Sequence, residues 1–64
     1  SFWVEARRLR DNLLTASDWT QGADSPLTDA KKAEWAEHRR VLRKVPIDND
    51  GATSLGEIAW PTAP

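Results

Sequence analysis

From Phe2 to Ala16 the apolar side chains recur at helical spacing: Phe2, Leu9 and Leu13 form one row with Ala6 between them, and Trp3, Arg10 and Leu14 form the adjoining one. Glu5 stands three residues before Arg8 and Arg7 four before Asp11, pairs worth about 0.2–0.5 kcal/mol each on an exposed face. The pattern predicts a helix over about 2–16. Ser17-Asp18 closes it, and Gly22 with Pro26 supplies breakers, so 17–28 reads as a loop. A second helical stretch opens at Thr28, whose hydroxyl can accept from an early helical N–H, followed by Asp29 at the positive end of the helix dipole. Its inward row is Trp35, His38, Leu42 and Val45, with Val41 alongside. Arg39, Arg40, Arg43 and Lys44 crowd the negative end, and Pro46 forbids continuation, which predicts a helix over about 29–45.

After Pro46 the regular pattern stops. Asp48-Asn49-Asp50-Gly51 reads as a turn, and the two prolines of Trp60-Pro61-Thr62-Ala63-Pro64 predict an extended end with Trp60 as its one large anchor. Residues 1–45 carry nine basic and seven acidic groups, whereas 46–64 carry three acidic groups and no basic one, so the tail is expected to fold back on the basic helices. The fold expected is all-α: a small two-helix antiparallel hairpin with an extended C-terminal tail, 46–64, packed across it. Trp3, Trp19 and Trp35 are sixteen residues apart, but their flanks differ and no repeat is read from them.

Sixty-four residues make one small domain, 1–64, and a chain of that size buries only about 60% of its unfolded surface. Sixteen apolar side chains larger than Ala are available, four of them Trp, so indoles must supply much of the core. The absence of Cys excludes disulfide staples and thiolate metal sites. A net charge of −1 argues against a nucleic-acid module. No apolar run approaches the ~18 residues of a membrane span, and no membrane partner is expected. A first residue Ser1 without Met, followed by Phe2-Trp3, is read as the C-terminal part of a longer chain.

Candidate chemistry is sparse. With Gly51 as the sixth position of a calcium loop, Asp48, Asp50 and Glu57 fall at the third, fifth and twelfth, but the first is Pro46, which has no ligating side chain. A solvated turn is the preferred reading, and no metal or other cofactor is expected. His38 alone has an ordinary pKa near neutrality, yet no Cys exists and Ser1, Ser17, Ser25 and Ser54 lack a nucleophile-elbow context. It is read as a structural histidine on the inner edge of the second helix, bonded to a neighbouring loop. No catalytic residue and no small-molecule substrate are expected.

Arginine makes up six of nine cations, in the clusters Arg7, Arg8, Arg10 and Arg39, Arg40, Arg43. Guanidinium forks suit carboxylates and indole faces, so intramolecular clamps on Asp11, Asp18 and the tail are the first reading, and a partner face the second. The residues assigned to a partner are Trp3, Arg7, Arg39, Arg40 and Arg43. Those expected to pin the fold are Leu13, Trp19, Trp35, Leu42 and Trp60.

Taken in order, Arg7-Arg8-x-Arg10-Asp11-x-Leu13-Leu14, Asp18-Trp19-Thr20, Pro26-Leu27-Thr28, Trp35-x-x-x-Arg39-x-x-Leu42-Arg43 and Trp60-Pro61-x-x-Pro64 resemble the phage tail assembly chaperone family, to which the C-terminal ends of tail-fibre assembly proteins are similar. The resemblance covers about residues 4–64. It implies a non-enzymatic protein that binds other phage tail or tail-fibre proteins, in the host cytoplasm during assembly or in the virion tail. A permanent adaptor in a tail, baseplate or fibre is the alternative, and a small nucleic-acid-binding module ranks behind both. Where the family often has an aromatic residue just before the arginine of the second helix, this chain has His38, and the connection from Pro46 to Ile58 is fuller than the family pattern.

Overall fold

The computed structural model describes residues 2–64; Ser1, one of the serines weighed above, lies outside them. The chain is all-α. Helix α1 spans Phe2–Ala16, a 3-10 turn follows at Asp18–Gln21, α2 spans Asp29–Arg43, α3 spans Val45–Asp48, and a second 3-10 turn lies at Leu55–Glu57. No strand occurs among the described residues. Pairings descend along the second half of the chain as they climb along the first: Ala6 of α1 clusters on Val45 at the start of α3, Leu14 of α1 is bonded by Arg39 of α2, and Gln21 of the 3-10 turn is bonded to Lys32 of α2. The two long helices therefore run in opposite senses, giving a body of 39 × 16 × 15 Å.

Thr28 caps α2 through its hydroxyl, which accepts the Lys31 N–H at 3.2 Å. Pro46 ends α2, since it has no N–H to continue the ladder, but its fixed φ suits the first turn of a new helix. The chain uses it that way: α3 starts at once, and the Asp48 N–H reaches the Lys44 carbonyl at 2.8 Å. The extended tail expected over 46–64 is therefore corrected. Its first part is helical, turns and bends over 49–54 lead to a 3-10 turn at Leu55–Glu57, and the end from Ile58 has no regular structure. The loop expected over 17–28 likewise contains the turn Asp18–Gln21.

The core has two ends. At one, Ala6, Val45 and Ile58 are buried together, with Phe2, Trp3, Ala52, Leu55 and Trp60 packed half-buried around them. A methyl at position 6 lets α3 and the tail approach the α1 backbone closely, which a larger side chain would prevent. Trp60 brings the tail against that cluster. Asn49 helps: its Nδ2 donates to the Val45 carbonyl and its Oδ1 accepts the Ala59 N–H, both at 3.0 Å. Leu42 is fully buried on α2. At the other end the buried side chains are polar, namely Ser17, Thr20 and Arg39, and rings cover them: Trp35 meets Trp19 at 6.4 Å and His38 edge-on at 5.5 Å.

Leu13 and Trp19, expected to pin the fold, stand largely in solvent. They are 46% and 53% exposed. Leu13 sits on the flank of α1 beside the buried Ala6 row, and Trp19 projects from a 3-10 turn with its ring tilted against Trp35. His38 departs from expectation too. Its Nδ1 is buried without a hydrogen-bond partner, so no loop bond holds it.

Candidate partner-binding surface

The described residues enclose no cavity, and no three His, Asp or Glu among them gather as a metal site would require. No helix is long and apolar enough to cross a membrane. Any functional site on these residues is a surface, and what matters is which side chains are already engaged inside the fold.

Arg39 is engaged most fully. One terminal nitrogen donates to the Leu14 carbonyl at 2.6 Å and to the Ser17 hydroxyl at 2.7 Å, and the other reaches Asp18 at 2.6 Å. Ser17 is positioned for this because its hydroxyl donates back to the Leu13 carbonyl at 2.8 Å, a bond available to a serine in the last helical turn. Thr20, also buried, donates to the Ser17 carbonyl at 2.6 Å. Arg39 therefore belongs to the fold and is withdrawn as a partner contact. The spacing Trp35, Arg39, Leu42 already placed it on the inward face, a signal masked by its charge.

The other cations divide cleanly. Arg8 pairs with Glu5 at 3.1 Å, Arg10 with Asp11 at 2.9 Å, Lys31 with Glu34 at 3.1 Å, Arg40 with Glu37 at 2.6 Å and Lys44 with Asp48 at 4.0 Å. Asp11 thus goes to Arg10 and not to Arg7, as the spacing had suggested. The Arg40 hydrogen bond holds the Glu37 carboxyl below its usual range and raises Arg40 in turn, although both lie in solvent. Arg7, Lys32 and Arg43 are left without an ion pair among the described residues. Trp3 is half-buried, its ring 4.9 Å from Phe2.

The tail's acids stay local. Asp48 faces Lys44, and Glu57 accepts the Thr53 N–H and, at 2.7 Å, the Thr53 hydroxyl. Those bonds, the hydroxyl first, depress the Glu57 pKa. Of the expected clamps between the acidic tail and the helices, the described residues show one ion pair, Asp48 with Lys44 just past the end of α2, because Pro46 turns the chain into α3 there. Large apolar groups are exposed at Val4, Leu9, Leu13, Trp19 and Ile47.

No curated protein and no solved structure matches the chain significantly. A family match does exist, to the family described as phage tail assembly chaperone protein, and it runs over residues 3–64. Nearly every residue that builds the body falls inside it, from Trp3 and Ala6 through the Arg39 clamp to Trp60, so the match covers the fold as a unit. By that match the chain belongs to the phage tail assembly chaperone family, and its role lies in the assembly of phage tails.

Proposed function

We propose that the chain is a non-enzymatic interaction domain that binds other tail or tail-fibre proteins while the tail is put together in the host cytoplasm. The observation that carries this reading is the division of its side chains. The polar side chains that sit inside the fold bond one another or nearby backbone, Arg39 of α2 to Leu14 and Ser17, and Thr20 to Ser17, whereas Val4, Leu9, Leu13, Trp19 and Ile47 face outward. Apolar groups kept in water on a body with so little core are costly to leave uncovered, and a binding partner would remove that cost.

Affinity purification of the tagged chain from infected cells, with identification by mass spectrometry, tests this. The expected result is recovery of one or more tail proteins in near-stoichiometric amount. The chain should then be missing from purified particles. Its stoichiometric presence there would replace the chaperone reading by that of a permanent adaptor in the tail, baseplate or fibre. Recovery of no tail protein would defeat both.

A further inference from the structure

Of the nine Lys and Arg, six are held by carboxylates among the described residues, and the three left over there are Arg7, Lys32 and Arg43. These three are not scattered. In α1 the row turned toward the rest of the body contains Ala6 and Arg10, and at 100° per residue Arg7 stands about 80° round from it. In α2 the inward row is Trp35, Arg39 and Leu42, from which Arg43 stands about 70° and Lys32 about 50° round in the same rotational sense. When two helices run in opposite senses, positions displaced in the same rotational sense from their facing rows come to the same side of the seam. All three therefore line one edge of the pair.

Their height along the axis follows from the contacts. Ala6 is level with Val45, Arg7 is the next residue in α1, and Arg43 is two residues before Val45, which places the two guanidinium-bearing positions within about one helical turn. Lys32 lies about 16 Å further along the edge, eleven residues from Arg43. The helix acids on the same side are Asp11, held by Arg10, and Asp29, which stands one turn before Lys32 and offsets its charge at that end; Asp18, in the 3-10 turn, is held by Arg39. Val4, one turn before Arg7 and exposed, adds an apolar contact at that end.

We infer that the edge formed by Arg7, Arg43 and Lys32 is the face on which an acidic, carboxylate-bearing segment of another tail protein docks. This rests on the reading that the chain binds tail proteins, and it names where and with what chemistry. Two arginines at one level with no internal carboxylate present planar forks suited to carboxylates, and a partner's negative charge removes a repulsion that the free chain carries. A net charge of −1 is the reason to favour an acidic protein segment over nucleic acid: three cations without a carboxylate are few for a polyanion, and the other six are already paired with carboxylates.

The test is an NMR titration of the isotopically labelled full chain with an amphipathic Glu/Leu peptide and, separately, with its Lys/Leu counterpart. The acidic peptide alone should give saturable shifts at Val4, Arg7, Arg43 and Lys32, with affinity falling about tenfold at high salt. Arg7→Glu with Arg43→Glu should weaken binding about tenfold while the melting temperature holds, since both side chains are exposed and unpaired. Arg40→Gln, which removes one positive charge at a cation already paired with Glu37, should change binding less than about twofold. Equal binding of the Lys/Leu peptide or of a single-stranded oligonucleotide, or equal loss through Arg40→Gln, overturns the inference. The affinity purification separates the two readings. If the wild-type chain recovers tail proteins and the double variant recovers as much, the binding role stands and the cationic edge falls; if the wild type recovers none, both fall.

Discussion

Arg39 and Asp18 form an ion pair of 2.6 Å that is lopsided: the arginine side chain is 10% exposed and the carboxylate 64%. Most of what Arg39 contributes must therefore come from its buried bonds to the Leu14 carbonyl and Ser17 hydroxyl, which water does not screen. Arg39→Ala is expected to cost about 2–4 kcal/mol, because it removes the charge-assisted bonds to the Leu14 carbonyl and the Ser17 hydroxyl and takes the alkyl stem out of the seam. Arg39→Lys should recover less than half, since an ammonium cannot span both sites at once. Asp18→Asn should cost no more than about 1 kcal/mol, as an exposed partner. Urea denaturation followed by tryptophan fluorescence measures all three, and an Asp18→Asn loss equal to that of Arg39→Ala would show the ion pair to dominate.

Leu42 and Leu13 both occupy inward rows in the sequence pattern, but only Leu42 is buried. Leu42→Ala is expected to cost about 3 kcal/mol and Leu13→Ala less than about 1 kcal/mol. Removing Trp60 by truncation after Ala59 should fall between them, at about 2 kcal/mol, since the indole packs against Ala6, Val45 and Ile58 with part of its surface in water. Thermal melts of the three variants rank the contacts directly. Equal losses at positions 13 and 42 would mean that the α1 flank carries the fold.

What could be read from the sequence follows from how local each cause is. The Thr28 cap and the stop at Pro46 depend on a few neighbouring residues, and both were legible. The same proline was read only as a breaker, because whether it also opens a new turn depends on where Val45 packs. Arg39 lay on the inward face by spacing, but its three acceptors belong to residues 14, 17 and 18, more than twenty positions away, and no local pattern announces them. The free state of Arg7 was hidden for a related reason: Asp11 is within reach of two arginines, and only the geometry of α1 gives it to Arg10. Asn49 reads as a turn residue, and its second bond, to Ala59, appears only once the tail has returned.

His38 occupies the place where the resemblance would put an aromatic residue, and its ring meets Trp35 edge-on at 84°. The buried Nδ1 has no partner, which carries a desolvation cost of about 1–3 kcal/mol that an apolar ring would not incur. His38→Phe is therefore expected to stabilise the chain by about 1 kcal/mol and to keep the edge contact with Trp35. His38→Gln should destabilise it, because the ring contact is lost and the amide finds no better partner. A rise in melting temperature for the first and a fall for the second is the expected outcome. Destabilisation by both would mean that Nδ1 makes a bond worth more than the ring.

Glu57 is fully in solvent, and yet its carboxyl titrates below the usual range because the Thr53 hydroxyl and N–H both donate to it. A carboxyl whose folded pKa lies below its unfolded one favours the folded chain at pH above the unfolded value, and loses that contribution as pH falls through the folded pKa. The segment 53–57 should accordingly loosen only in acid, below the ordinary glutamate range, while α1 and α2 hold. Thr53→Val removes the hydroxyl and leaves the N–H, so the Glu57 midpoint should rise toward the ordinary value without reaching it. Glu37, whose shift comes from Arg40, should not move in that variant. Carbon-detected NMR titration of the side-chain carboxyls reads both residues in one experiment. An unchanged Glu57 midpoint in Thr53→Val would assign the shift to the backbone donors alone, and the hydroxyl would lose its role in holding the turn that leads the tail back to Ala6.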